Sequence, residues 1–198
     1  MFHVKQRRGP GGPVDSEPAV IVRNMPELIP PTPRLHSSWL AAREEWGPDG
    51  HMDGAGLGSE DDVDSPAGFA AWVERLHGYA DRRRPVEQGR VHATYWWITE
   101  GDTYLGAIDL RHYLNAFLVD AGGHIGYSVR PSARGRGVAG RALQSVLHEA
   151  RVMGMDRVLL TCDPDNAASV RTIERSGGVL EDVRETLIGP KRRYWIDL

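Results

Sequence analysis

Ile125–Leu143 reads IGYSVRPSARGRGVAGRAL. Ile125, Tyr127 and Val129 alternate as in a strand, and Pro131 ends the alternation. A short basic, glycine-rich turn follows, and an amphipathic helical pattern then opens with Val138, Leu143, Val146, Leu147 and Ala150. Strand, glycine-rich turn and helix start together make a site for a phosphate-bearing ligand. The first helical N–H groups have no intrahelical partner and carry the positive end of the helix dipole. Glycines let the backbone come within hydrogen-bonding distance of phosphate oxygens.

Around this stretch the chain has 198 residues, enough for one domain with a substantial core. Apolar residues make up 40% and charged residues 26%, a globular composition. A net charge of −3 gives no electrostatic reason to expect nucleic acid as a partner. Cys162 is the single cysteine, so no intrachain disulfide forms and no metal site is expected. No run approaches the ~18 apolar residues of a membrane span, and the basic N-terminus lacks the apolar stretch of a secretory signal. A cytoplasmic protein without membrane contact is the expectation.

Residues 1–18 hold glycine, proline and charge and are read as a disordered tail, leaving 19–198 as a single domain. Codons for Met1–Gln6 can spell ATGTTTCACGTGAAACA, which contains a palindrome resembling a bacterial chromosome-partition site. A second reading of the opening peptide is therefore a function of the DNA or a misassigned start; other codons in the gene would remove it.

Glu27–Ile29 reads as a first strand. Thr32–Pro33 and Ser65–Pro66 each place a capping side chain before a proline, the signature of a helix start. The helices they open are expected to run to about Glu45 and Tyr79. Between them, Gly47–Asp64 is a loop within a stretch that carries eight acids from Glu44 to Asp64 and no Lys or Arg. It is either a solvated loop or a mobile acidic lid that attracts a cationic substrate. Val91–Thr99 and Thr103–Arg111 read as a hairpin. Gly123–Val129, Arg157–Cys162, Val179–Ile188 and Lys191–Asp197 read as further strands, and Asn166–Ser176 as a short helix. The sum is an α/β domain with a mixed, mainly antiparallel sheet of six or seven strands flanked by helices.

Two families of site fit the turn. Gly135–Gly140 matches the G-x-G-x-x-G of dinucleotide-binding units. Against that reading, Arg130–Arg134 separates the glycines from the strand, and too little chain follows for a doubly wound sheet. Arg134–Ala139 also matches Q/R-x-x-G-x-G/A, and with IGYSVRP it resembles the acetyl-CoA-binding segment of the GNAT superfamily of N-acetyltransferases. The strand RVLLTC, the helix start Asn166–Ser169 and the turn Gly177–Val179 resemble that family's next segment. The order of the preceding elements agrees, so the resemblance spans roughly Glu27–Leu198.

The resemblance implies a splay between two parallel central strands, here Gly123–Val129 and Arg157–Cys162, with acetyl-CoA between them. Val129 would pair with the pantetheine arm. Arg134, Gly135, Arg136, Gly137, Val138, Ala139 and Gly140 would hold the pyrophosphate, and Asn166 and Ser169 would meet the arm or cap their helix. Many relatives carry a tyrosine where this chain has Ile173, thought to protonate the departing thiolate. The candidates left for catalysis are His124 as a base acting through water, Tyr127 lining the acetyl pocket and Tyr194 as a substitute for the missing tyrosine. Each also has a purely structural reading. The implied activity is direct acetyl transfer from acetyl-CoA to a primary amine: a small cationic amine, a peptide N-terminus or a lysine. A homodimer is compatible with this. The rival is a non-enzymatic acyl-CoA sensor, suggested by Ile173 and the lack of an evident base.

Overall fold

The computed structural model describes residues 25–47 and 50–198, so the tail expected over 1–18 lies outside the described residues. Four α-helices and seven strands are present among them. Strand β1 (Glu27–Ile29) leads through a 3-10 turn (Pro33–Leu35) into helix α1 (His36–Trp46). Thr32 caps the 3-10 turn rather than the α-helix itself, accepting from the Arg34 N–H. Helix α2 (Pro66–Gly78) starts as its sequence demands, with the Ser65 hydroxyl accepting from the Gly68 N–H at 3.0 Å.

Strands β2 (Ala93–Glu100) and β3 (Thr103–Arg111) form the central hairpin, and β4 (Ile125–Val129) pairs antiparallel to β3. Helix α3 (Val138–Val152) then crosses to β5 (Arg157–Cys162); α4 (Ala167–Arg175), β6 (Val179–Thr186) and β7 (Gly189–Asp197) complete the chain. The ladders form two sheets, ordered β1-β2-β3-β4 and β5-β7-β6, all by antiparallel pairing. The β4–α3–β5 connection is a helical crossover, the kind that joins strands running the same way. No ladder joins β4 to β5 among the described residues, so the seam between the sheets is a splay.

Alternation along the hairpin builds two cores. Trp97, Tyr104 and Ala107 face α1 and α2, where Trp39, Phe69 and Trp72 are buried. The Trp39 and Trp72 rings pack 5.2 Å apart, and Trp72 and Trp97 5.8 Å. Ile98, Leu105, Ile108 and Leu110 face the other way, onto Leu143, Val146 and Leu147 of α3 and onto Leu160 and Tyr194. Trp96 and Trp97 therefore serve opposite faces, as strand geometry requires.

Several expected bounds shift for local reasons. Strand β4, expected from Gly123, begins at Ile125 because Gly123 and His124 are used at the seam. A π-helical turn, Leu118–Gly122, precedes them and has no periodic signature in the sequence. The Arg111 guanidinium braces that turn, donating to the carbonyls of Gly122 (2.6 Å) and Gly123 (3.1 Å).

The seam itself is narrow. His124 N–H donates to the Leu159 carbonyl at 2.6 Å, and Leu159 N–H donates to His124 Nδ1 at 2.8 Å. Gly123 sits there with φ of 65°, and a Cβ on it would lie 2.5 Å from the Leu159 carbonyl oxygen. Replacement by alanine meets both a left-handed backbone and a backbone clash. Gly123→Ala is expected to lose about 2–4 kcal/mol of stability, read as a drop in the urea midpoint.

Candidate functional site

The site is built where β4 ends and α3 begins. Val129 is the last residue of β4, paired to Gly106 of β3 on one side and facing the splay on the other. Its carbonyl accepts from Arg134 Nε at 3.0 Å. A 3-10 turn (Pro131–Ala133) then delivers the chain to Gly137, the N-cap of α3, which no side chain caps. Arg141 N–H makes the first helical bond, to the Gly137 carbonyl at 3.2 Å. The N–H groups of Val138, Ala139 and Gly140 thus precede the helical ladder and remain available. Nothing lies within 4 Å of a Cβ built on Gly135 or Gly140. An uncapped helix of 15 residues, open space before it and an unpaired strand edge beside it fit a diphosphate and an extended amide chain. Arg136 is engaged with Glu100 at 2.7 Å, so of the two arginines of the turn only Arg134 bonds toward the strand edge.

A carboxylate missed in the sequence fixes this turn. Glu45, at the end of α1, accepts from Arg130 Nε, Ser132 N–H and Ser132 Oγ, each at 3.0 Å. The Arg130 hydrogen bond, the largest influence, and the Ser132 bonds pull its pKa down to about 2. Nothing in the spacing of residues 45 and 130 announces this contact.

The expected catalytic residues are placed differently from one another. His124 is buried at the seam with Nδ1 occupied by the Leu159 N–H, and burial with nearby Arg111 lowers its pKa to about 4. Its ring therefore stands as a neutral acceptor holding the two sheets. Tyr127 projects to the α3 side of β4, and its hydroxyl donates to Ser169 Oγ at 3.3 Å. Burial, the leading cause, raises its pKa to about 12. Tyr194 is fully buried on β7 and bonds Glu174 Oε1 at 3.3 Å. Cys162 lies close enough to influence both phenols, and burial raises its own pKa to about 11. Asn166 is the N-cap of α4, accepting from the Ser169 N–H at 3.0 Å. Ile173 is buried in the core beneath.

On the opposite face of β4, Asp109 is buried and takes the Gly126 N–H at 2.7 Å and Arg111 Nε at 3.2 Å. Burial raises its pKa against the pull of Arg111. The acidic loop folds over this face. Ala55 is fully buried, and Met52 and Val63 nearly so. Three of its acids are spent on structure, Asp61 on Arg75, Asp62 on the N–H groups of Asp64 and Ser65, and Asp64 on Arg43, as is Glu45 of α1 on Arg130. Burial opposes ionisation of Asp61, yet Arg75 and the Gly58 N–H outweigh it and hold its pKa below the ordinary value. The free negative field that the sequence suggested is accordingly much reduced. One pair the sequence reading passed over, His51 Nε2 and Asp53 Oδ1, lies 3.0 Å apart on the outer turn of this loop. Among the described residues no group of three or more His, Cys, Asp or Glu is placed to hold a metal ion, and no helix is long and apolar enough to cross a membrane.

A family model described as an acetyltransferase (GNAT) domain matches residues 14–179. Among solved structures, RimL, the ribosomal L7/L12 alpha-N-protein acetyltransferase in complex with coenzyme A, superposes with TM-score 0.66 at 18% identity, covering 90% of this chain and 97% of its own. The ribosomal-protein-S5-alanine acetyltransferase from Vibrio fischeri gives TM-score 0.64 at 15% identity, covering 87% and 91%. The microcin C7 self-immunity acetyltransferase MccE, in complex with acetyl-CoA and AMP, gives 0.61 at 17%, covering 86% and 91%. No curated protein matches the chain.

Two measurements follow from this geometry. Protonating His124 breaks its bond from Leu159. Because its folded pKa of about 4 lies below the ordinary 6.5, stability is complete above pH 6.5 and falls as pH drops from there to about 4. The loss is on the order of 3 kcal/mol, and His124→Gln should flatten it in urea titrations across that range. Glu45→Gln should leave the fold cooperative and weaken acetyl-CoA binding by about tenfold in calorimetry, because the turn before α3 loses its anchor.

Proposed function

Because the chain belongs to the GNAT family of acetyltransferases, its acetyl donor is acetyl-CoA, and we propose that its acceptor is the α-amino group of a peptide or protein N-terminus. The observation that carries the donor half is the uncapped start of α3 set against the open edge of β4. In this reading the N–H groups of Val138–Gly140 and the Arg134 guanidinium hold the pyrophosphate, and the free edge at Val129 pairs with the pantetheine amides. The thioester carbonyl is the electrophile that acetyl-CoA supplies.

The acceptor half rests on free energies and on likeness. A thiol of pKa ~8.5 leaves as thiolate for only ~2 kcal/mol at pH 7. A lysine amine of pKa ~10.4 costs ~4.6 kcal/mol to neutralise, whereas an α-amine of pKa ~7.7–8.0 costs about 1 kcal/mol. The lower cost of neutralising it favours the α-amine. Two of the structural neighbours are described as acetyltransferases of ribosomal proteins, one of them on the α-nitrogen, which supports the same choice. Tyr127 stays protonated at neutral pH because its pKa is raised to about 12, and it can return a proton to the departing sulfur in place of the tyrosine that Ile173 replaces. Ser169, its hydrogen-bond partner, aligns that hydroxyl.

Calorimetric titration tests the donor site. Native protein should bind acetyl-CoA and Gly137→Glu should not, since a carboxylate would then stand at the helix start that receives phosphate. Release of CoA should be faster with peptides bearing a free α-amine than with N-blocked peptides bearing only lysine, by at least about tenfold at pH 7. Equal rates, or a preference for lysine, would overturn the acceptor assignment.

A further inference from the structure

We propose that His51 and Asp53 form the base that receives the acceptor's proton, an assignment that rests on the acetyltransferase reading above. Asp53 lies in, and His51 directly before, a tight turn, Met52–Ala55, closed by the Ala55 N–H to the Met52 carbonyl at 3.2 Å, with Gly54 in its third position at φ of 74°. Gly54 is laid directly on β4: a Cβ built on it would be 2.3 Å from the Gly126 carbonyl oxygen and 3.0 Å from the Tyr127 Cα. Met52 and Ala55, on either side, are buried. Gly54 thus lays the turn on the strand that bears Tyr127, Met52 and Ala55 anchor it in the core shared with α1 and α2, and the side chains of His51 and Asp53 remain exposed.

An open cleft between the end of α1 and this loop is lined by Arg43, Glu44, His51, Met52, Leu57 and Ser59. Met52 and Leu57 give it an apolar component for a peptide side chain, and His51 is part of its wall. The rest of the surroundings are charged groups from other elements: Lys191 from β7 and Asp163 beyond β5 also act on the imidazole, in opposite senses. The Asp53 hydrogen bond is the largest influence and raises the His51 pKa above its ordinary value. That direction brings an imidazole closer to the acidity of an α-ammonium group and leaves it far below that of lysine.

With Nε2–H held by Asp53, Nδ1 is the ring nitrogen free to accept. The α-ammonium group gives one proton to Nδ1, and the imidazolium so formed is stabilised by the Asp53 carboxylate. The neutral amine forms a C–N bond to the thioester carbonyl carbon as the C–S bond breaks. The thiolate takes a proton from the Tyr127 hydroxyl, the second proton that the acylated nitrogen sheds restores that hydroxyl through water, and His51 returns its own to solvent, so charge and protons balance.

The test uses the full chain, acetyl-CoA and a short peptide with a free α-amine, together with His51→Gln and Asp53→Asn. His51→Gln should bind acetyl-CoA as the native protein does and lose about 10²-fold in kcat. The native kcat should rise with pH through a group titrating above 6.5, a limb that moves to lower pH in Asp53→Asn and vanishes in His51→Gln. A readout free of turnover is the imidazole NMR titration of His51, expected above 6.5 in the native protein and lower in Asp53→Asn. Native turnover with an undiminished kcat in His51→Gln, or a His51 titration that Asp53→Asn leaves in place, overturns the dyad alone. Failure of the native protein to release CoA from any amine overturns the enzyme reading and the dyad together.

Discussion

Everything at the site follows from how little joins the two sheets. At the seam, the His124 N–H meets the Leu159 carbonyl and the His124 ring accepts the Leu159 N–H. A side-chain nitrogen thus takes the place of the next carbonyl of a ladder, and the ladder stops. Past that point β4 and β5 separate, and no ladder takes the edge of β4, whose Val129 carbonyl is met by Arg134 Nε. A buried neutral histidine is well suited to this, because it supplies an acceptor without a charge to desolvate. Arg111 supports the same point from below, tying the π-helical turn and Asp109 into one polar network beneath the strand.

The face of β4 away from α3 is organised by a loop that looks, by composition, as though it should be loose. Three of its acids are anchoring points of its own fold. Asp61 reaches Arg75 of α2, Asp64 reaches Arg43 of α1, and Asp62 builds the approach to Ser65. Glu45 does the same for the turn before α3. Carboxylates that satisfy guanidinium and backbone N–H groups contribute order at the cost of long-range field.

Much of this was legible in the residues. The capping pairs Thr32–Pro33 and Ser65–Pro66 mark two helix starts, and the runs Val91–Thr99 and Thr103–Arg111 mark the central hairpin. The run IGYSVRPSARGRGVAGRAL placed strand, turn and helix within a few residues of their observed bounds, because each rests on local chemistry. The π-helical turn, the Glu45 clamp and the His51–Asp53 pair were not legible. The first has no periodicity to detect. The clamp depends on residues 85 to 87 positions apart in the chain. The pair lies in a loop whose glycine and acid content masks the burial of Met52 and Ala55. The sequence leaves His124 open between a base acting through water and a structural role, and only the Leu159 contact assigns its ring nitrogen to the backbone.

The narrow seam also has a thermodynamic reach. A ligand lying along the free edge of β4 and on the start of α3 occupies the gap that the protein's own ladders leave, and that gap exists only in the folded chain. Such a ligand stabilises the native state by mass action, about 2.7 kcal/mol at a hundred times its dissociation constant. The folded population, and with it resistance to proteolysis, then rises and falls with the concentration of the acetyl donor. The lifetime of the protein becomes a readout of the metabolite it consumes.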